Sequence, residues 1–120
     1  DALALRAHEL VAPDLMVPEC ANILWKKVQR GELTGKEAVI AAGLLRRAGT
    51  RLLPMLGMLE EATAMAIDIA HPAYDCVYMA AARREGVPMV TADARLANKV
   101  RSIRALKSPE LLMLGDPATL

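Results

Sequence analysis

Short apolar runs alternate along this chain with longer stretches whose apolar residues recur at helical spacing. Arg51-Leu52-Leu53, Pro88-Met89-Val90-Thr91 and Leu111-Leu112-Met113-Leu114 are bounded by turn-forming or charged residues. Runs of this kind are too short for helices and lack a polar alternation, so they suit strands of a parallel sheet covered on its faces. Parallel neighbours cannot be joined by a tight turn and need crossover connections, which the helical stretches supply. The pattern therefore favours an α/β fold with a short parallel sheet flanked by helices, and disfavours a helix bundle.

The individual elements follow from local signals. Residues 2–10 read as a short helix with no cap ahead of it, and Leu15-Met16-Val17 as a short strand before Pro18. Pro18 suits the first turn of a helix running to Arg30, with Ala21, Leu24, Trp25 and Val28 as its apolar stripe. Lys26, Lys27 and Arg30 complement the dipole at its end, and Gly31 stops it. Thr34 and Glu37 have the spacing of a capping box, opening a helix to about residue 48 that Gly49 closes. Leu56, Leu59, Thr63, Ala66, Ile67 and Ala70 mark the next amphipathic helix, ended by His71-Pro72. A helix over 73–85 follows, closed by Gly86, and Asp93 begins another after the strand 88–91. No internal repeat, low-complexity tract or interdomain linker interrupts the 120 residues, which fit one small domain.

Composition narrows the class. Apolar residues make up 54% and charged residues 24%, a balance that excludes a disordered segment. Aromatic residues are 2% with no Phe, so Leu, Ala, Ile, Val and the 7 Met must fill the core. The net charge of +1 does not by itself point to nucleic acid, although balance can hide local patches. Cys20 and Cys76 form no CxxC, which argues against a disulfide framework or a thiolate zinc site and fits free thiols in a reducing cytoplasm. Charges interrupt every candidate membrane span, and the N-terminus lacks the layout of a secretory signal.

Three carboxylates stand apart from the solvated acids of the surface. Glu19 lies in a first helical turn, straight after the expected strand 15–17. Asp75 lies in the first turn of the helix 73–85 among apolar neighbours. Asp93 follows the strand 88–91. In an open parallel sheet, ligands bind beyond the carboxyl ends of strands. Carboxylates crowded there need protons or a cation, and a hard ion such as Mg²⁺ or Mn²⁺ suits oxygen ligands. Each position taken singly is equally well a dipole or capping residue. Asn22 and Lys26 share the helix face of Glu19, one placed to orient it and the other to meet a phosphate. Thr91 shares the side of its strand with Asp93. A surface Asn, a solvated Lys and a strand-forming Thr are the plain alternatives.

The segment Ala73-Tyr74-Asp75-Cys76-Val77-Tyr78-Met79-Ala80, with Thr91-Ala92-Asp93-Ala94-Arg95-Leu96 downstream and Pro18-Glu19-Cys20-Ala21-Asn22-Ile23-Leu24 upstream, resembles the VapC-type toxins among the PIN-domain ribonucleases. The resemblance covers nearly all of the chain, and the order and spacing of the motifs are specific. It implies a single PIN-like, three-layer α/β domain over residues 1–120. It also implies a metal-dependent endoribonuclease, in which Mg²⁺ or Mn²⁺ held by carboxylates activates water against an RNA phosphodiester. Carried over by motif, Glu19, Asp75 and Asp93 are the acidic set and Asn22 and Thr91 support it. The family's opening strand, which ends in a first active-site Asp, has no match in this sequence. The expectation is therefore a chain lacking that central strand, and inactive or weakened without it. The resemblance further implies a homodimer, held inactive by a VapB-type antitoxin whose C-terminal segment wraps the toxin. Lys26, Arg95, Lys99, Arg101, Arg104 and Lys107 are the candidates for an RNA path, or else a solvated basic surface.

Two other readings compete. A degenerate PIN-like module that binds a partner protein and cuts nothing would explain the missing Asp. A Mg²⁺-dependent phosphatase ranks below it, since no strand-end Lys is evident. Cys20 and Cys76 read as packing thiols, and His8 and His71 carry no catalytic expectation.

Overall fold

The computed structural model describes residues 9–91, 94–102 and 111–113. Its elements, in chain order, are strand β1 (Val11–Pro13), helix α1 (Met16–Gln29), helix α2 (Gly35–Arg46) and strand β2 (Arg51–Leu53). A 3-10 turn (Leu56–Met58) then precedes helix α3 (Leu59–Ile69), helix α4 (Ala73–Glu85), strand β3 (Met89–Thr91), helix α5 (Ala94–Ser102) and strand β4 (Leu111–Met113). The chain divides into two compact units, residues 1–54 and 55–120.

In the first unit, β1 and β2 pair in parallel, Val11 opposite Arg51 and Pro13 opposite Leu53. The ladder is extended at both ends, because the Arg51 N–H donates to the Leu10 carbonyl and the Asp14 N–H to that of Leu53. The expected strand at 15–17 is thus corrected to residues 11–13, and Met16 and Val17 are already helical. An apolar run of three fits a first helical turn as well as a strand, and periodicity cannot separate the two. Pro13 is tolerated because, among the described residues, the pair is two strands wide and each strand is an edge. Likewise, Glu9 and Leu10 are not helical; the rest of the helix expected at 2–10 lies outside the described residues.

Helix α2 begins as its sequence requires. The Thr34 hydroxyl accepts from the Glu37 N–H, and the Glu37 carboxylate accepts from the Thr34 N–H. These bonds hold the Glu37 carboxyl below its ordinary value of 4.5. Helices α1 and α2 pack together, yet this unit buries little. The expected α1 stripe is only half-covered: Leu24 and Val28 are partly buried, whereas Ala21 is exposed and Trp25 is 57% exposed.

The second unit holds the main core. Ala62, Met65, Ile69, Cys76, Met79, Ala82, Met89, Leu96 and Val100 form one buried cluster. With no Phe, unbranched Met side chains fill the gaps between Ala-lined helices. The buried face of α3 runs through Ala62, Met65 and Ile69, after Met58. This corrects the expected stripe: Leu56, Leu59 and Ile67 are exposed. Helix α3 is apolar on two sides, so spacing alone supports either face. Strands β3 and β4 pair in parallel, Met89 opposite Leu111 and Thr91 opposite Met113, with α5 between them in sequence. The expected strand 88–91 is present from Met89 to Thr91 and the expected strand 111–114 over Leu111–Met113, residue 114 lying outside the described residues; both described pairs are parallel. Arg83 of α4 meets Glu61 of α3 at 3.1 Å, a partly exposed pair worth little beside the core.

Helix α3 ends on Ala70 in the left-handed region (φ 51°, ψ 53°), and α4 ends on Gly86 at φ 64°. A Cβ at φ > 0 costs on the order of 1 kcal/mol, which Gly86 avoids and Ala70 bears. Nothing lies within 4 Å of a Cβ built on Gly86, so strain and not crowding decides that site. We expect Gly86→Ala to lower stability by about 1 kcal/mol in denaturant unfolding, and Ala70→Gly to leave it level or raise it. Met79→Ala, which empties a fully buried position, should cost about 2–5 kcal/mol in the same assay.

Candidate active site

Helix α4 carries the clearest candidate. Its N-cap is Pro72, which supplies no side-chain cap, and Asp75 lies in its first turn. Asp75 does not serve as a cap. Its Oδ2 lies 2.6 Å from Nε2 of His71, the residue just ahead of the helix. The His71 side chain is 6% exposed and that of Asp75 is 40% exposed, so a covered ring holds an acid that faces solvent. The Nζ of Lys99, from α5, donates to the Ala70 carbonyl at 2.8 Å and lies 3.5 Å from Nδ1 of His71. The end of α3, the start of α4 and the middle of α5 thus meet around the His71 ring, and it is the ring that touches the Asp75 carboxylate.

His71 is the residue that sequence reasoning missed. His71-Pro72 reads as a helix stop, and it is one. The four-residue spacing from His71 to Asp75 across that stop was the available signal. Lys99, a candidate for the RNA path, donates from its ammonium to the Ala70 carbonyl; Arg95 and Lys26, the other candidates described, are exposed.

Glu19 lies in the first turn of α1, half-buried, as expected of it. With the strand now at 11–13, Asp14 is the acid directly at the strand's carboxyl end, and Glu19 sits one helical turn further on. The Asp14 carbonyl accepts from the Val17 N–H and so closes the strand-to-helix turn. Asn22 is exposed on the same helix as Glu19. Thr91 ends β3, partly buried. Asp93 lies outside the described residues, as do Arg104 and Lys107.

The thiols behave as packing groups. Cys76 is fully buried, and burial, then the neighbouring Asp75 charge, pushes it above the ordinary thiol value of 9.0. A thiol kept protonated in this way is a poor metal ligand. The partly exposed donor described in this part of the fold is the Asp75 carboxylate, an oxygen ligand of the kind that suits a hard divalent ion. Among the described residues, no group of three or more His, Cys, Asp or Glu side chains converges to hold a metal ion.

The first unit contains an apolar groove of about 320 Å³, lined by Met16, Cys20, Leu24, Leu45 and Leu52 among others. On α2, Val39 is 73% exposed and Leu44 61% exposed. No described helix is long and apolar enough to cross a membrane.

A thiol-reactive probe should modify partly buried Cys20 in the native protein and spare Cys76 until denaturant is added. The burial of Cys76 favours folding fully below the ordinary thiol value. That contribution is lost as pH rises through the raised one, so alkaline pH should lower stability less in Cys76→Ala than in the unmodified chain.

Comparison with known proteins agrees with the motifs. No protein-family model matches the chain. Ribonuclease VapC3 of Pyrobaculum aerophilum is 32% identical over 99 residues, covering 78% of this chain and 73% of that protein. With parallel strand pairs flanked by helices, and an acid at the start of α4 where the motif requires it, the chain belongs to the VapC-type PIN-domain ribonuclease family.

Proposed function

We propose that this protein is a metal-dependent endoribonuclease toxin that hydrolyses RNA phosphodiester bonds and is restrained by a VapB-type antitoxin. The observation that carries the reading is Asp75: a solvent-facing carboxylate fixed by a buried imidazole, in a chain similar to a ribonuclease. An acid kept for stability alone has no need of that support, since a first-turn carboxylate already gains from the helix dipole.

Glu19, Asp75 and Asp93 are the proposed oxygen donors for Mg²⁺ or Mn²⁺, and Asn22 and Thr91 the proposed supporting residues. A bound divalent ion makes hydroxide available near neutral pH and offsets the charge that builds on the phosphoryl oxygens. The residues of the chain have two tasks. The carboxylates orient the attacking water, and Asp75 in particular presents a set oxygen because its other oxygen is engaged by His71. Lys26 and Arg95, both exposed, are the proposed contacts to phosphates of the RNA strand.

Partner binding draws on different residues. The exposed apolar side chains of α2 and the groove beside α1 suit an antitoxin segment or a second copy of the chain, and neither involves the carboxylates. These same surfaces favour the second reading, a PIN-like module that binds a protein and cuts nothing.

The test is cleavage of a panel of structured RNAs by the antitoxin-free protein, in Mn²⁺ and in EDTA, beside Asp75→Asn and Asp93→Asn. We expect cleavage only with the metal, and a loss of roughly 10²-fold or more in each variant. Cleavage that survives EDTA or both substitutions contradicts the assignment. Absence of both cleavage and Mn²⁺ binding in the unmodified protein supports the binding module.

A further inference from the structure

We propose that His71 is a positioning residue for Asp75, donating from Nε2 to its carboxylate, with Lys99 held at the other ring nitrogen in the same sense. The inference rests on the proposed role of Asp75 and goes beyond it, because it assigns work to residues outside the acidic set. Three observations converge within the second unit.

The first is the directionality of the hydrogen bonds. An ammonium only donates, so the His71 nitrogen facing Lys99 Nζ, Nδ1, is the acceptor. The ring proton then sits on Nε2 and is donated to Asp75 Oδ2 at 2.6 Å. The 3.5 Å approach to Nδ1 is long, but the ammonium is anchored beside the ring by its 2.8 Å bond to the Ala70 carbonyl.

The second is the backbone. Ala70 bears a left-handed conformation that most residues avoid, and the His71 N–H closes back on the Ala66 carbonyl at 3.2 Å. Among the described residues, Ala70 is the one non-glycine at positive φ. That conformation turns the chain directly before His71, where the ring must reach forward to the first turn of α4 and the Ala70 carbonyl must meet Lys99. Strain of this kind persists where surrounding contacts over-determine it.

The third is the contrast in exposure. The ring is almost wholly covered while the carboxylate it holds is partly exposed. An exposed ion pair gains little stability, whereas a buried donor aimed at an open carboxylate oxygen fixes its rotamer. With Oδ2 engaged, Oδ1 becomes the oxygen presented to a cation or to water. Partners of this sort typically change metal affinity or activity by about 10–100-fold when removed.

The experiment compares His71→Ala, His71→Gln and the unmodified protein. Gln reaches the position of Nε2 with an N–H and so conserves the donor; Ala does not. Three readouts are taken: Mn²⁺ affinity without RNA, kcat and KM for RNA cleavage, and NMR of the His71 ring nitrogens and the Asp75 χ1 rotamer in metal-free protein. We expect the Nε2–H tautomer and one Asp75 rotamer in the unmodified protein. In His71→Ala the rotamer averages, Mn²⁺ affinity falls about 10–100-fold and kcat falls more than KM changes, with recovery in His71→Gln. Lys99→Met should leave Nε2–H in place, because the Asp75 carboxylate only accepts. A lowered Tm in His71→Ala with unchanged Mn²⁺ affinity, kcat and rotamer means a purely structural histidine and overturns the proposal. If the unmodified protein neither binds Mn²⁺ nor cuts RNA, the ribonuclease reading fails by itself. The positioning claim is then decided by NMR: an Asp75 rotamer that averages only in His71→Ala sustains it, and one fixed in both proteins overturns it.

Discussion

Strands of three residues joined in parallel cannot close on themselves, and this constraint organises the rest of the molecule. Each pair must be bridged by helices, α1 and α2 between β1 and β2, and α5 between β3 and β4. Each bridge leaves the carboxyl end of a strand and enters the amino end of a helix. There, free backbone N–H groups and the helix dipole favour negative charge. Asp14 and Glu19 occupy such a junction after β1, and Thr91 ends β3 at another. Asp75 reaches an equivalent helix start by a different route, through the α3–α4 connection.

That connection depends on the core beneath it. Cys76 and Met79 anchor one side of α4 in the cluster with Met65 and Ile69 of α3, and Leu96 and Val100 add α5. The packing fixes three helix segments relative to one another within this unit. Ala70, His71 and Lys99 come from the ends and faces so fixed: Lys99 bonds the Ala70 carbonyl beside the His71 ring, and His71 reaches the Asp75 carboxylate. Alanine and methionine suit this role. The small residues let the helices approach, and the flexible ones fill what remains without any aromatic ring. Among its described residues the first unit has no equivalent buried cluster, and its helices leave apolar side chains exposed.

Much of this architecture was legible in the residues. Thr34 and Glu37 form the capping box that their spacing announces, Gly86 ends α4, and Arg51-Leu52-Leu53 is a strand. The first-turn placement of Glu19 and Asp75 was equally readable, because proline and the apolar periods mark both helix starts. The failures share a cause. Leu15-Met16-Val17 fits a strand or a helical turn, and α3 has two apolar faces, so only tertiary packing chooses between the options. His71 was invisible as a functional residue for a similar reason. Its partners are four and twenty-eight residues away, and the second of these contacts exists only because α5 packs over the helix junction.

Paramagnetic broadening by Mn²⁺ tests the account most directly, because it asks whether the acid held by His71 belongs to a cation site. With a trace of Mn²⁺ added to isotope-labelled protein, the His71 ring and the amides at the start of α4 should broaden first, together with those around Glu19 and Asp93. Asp75→Asn should abolish the effect at low metal. Broadening that begins elsewhere, or that is scattered over the acidic surface and unaffected by Asp75→Asn, would contradict the assignment of Asp75 to the centre of a ribonuclease site.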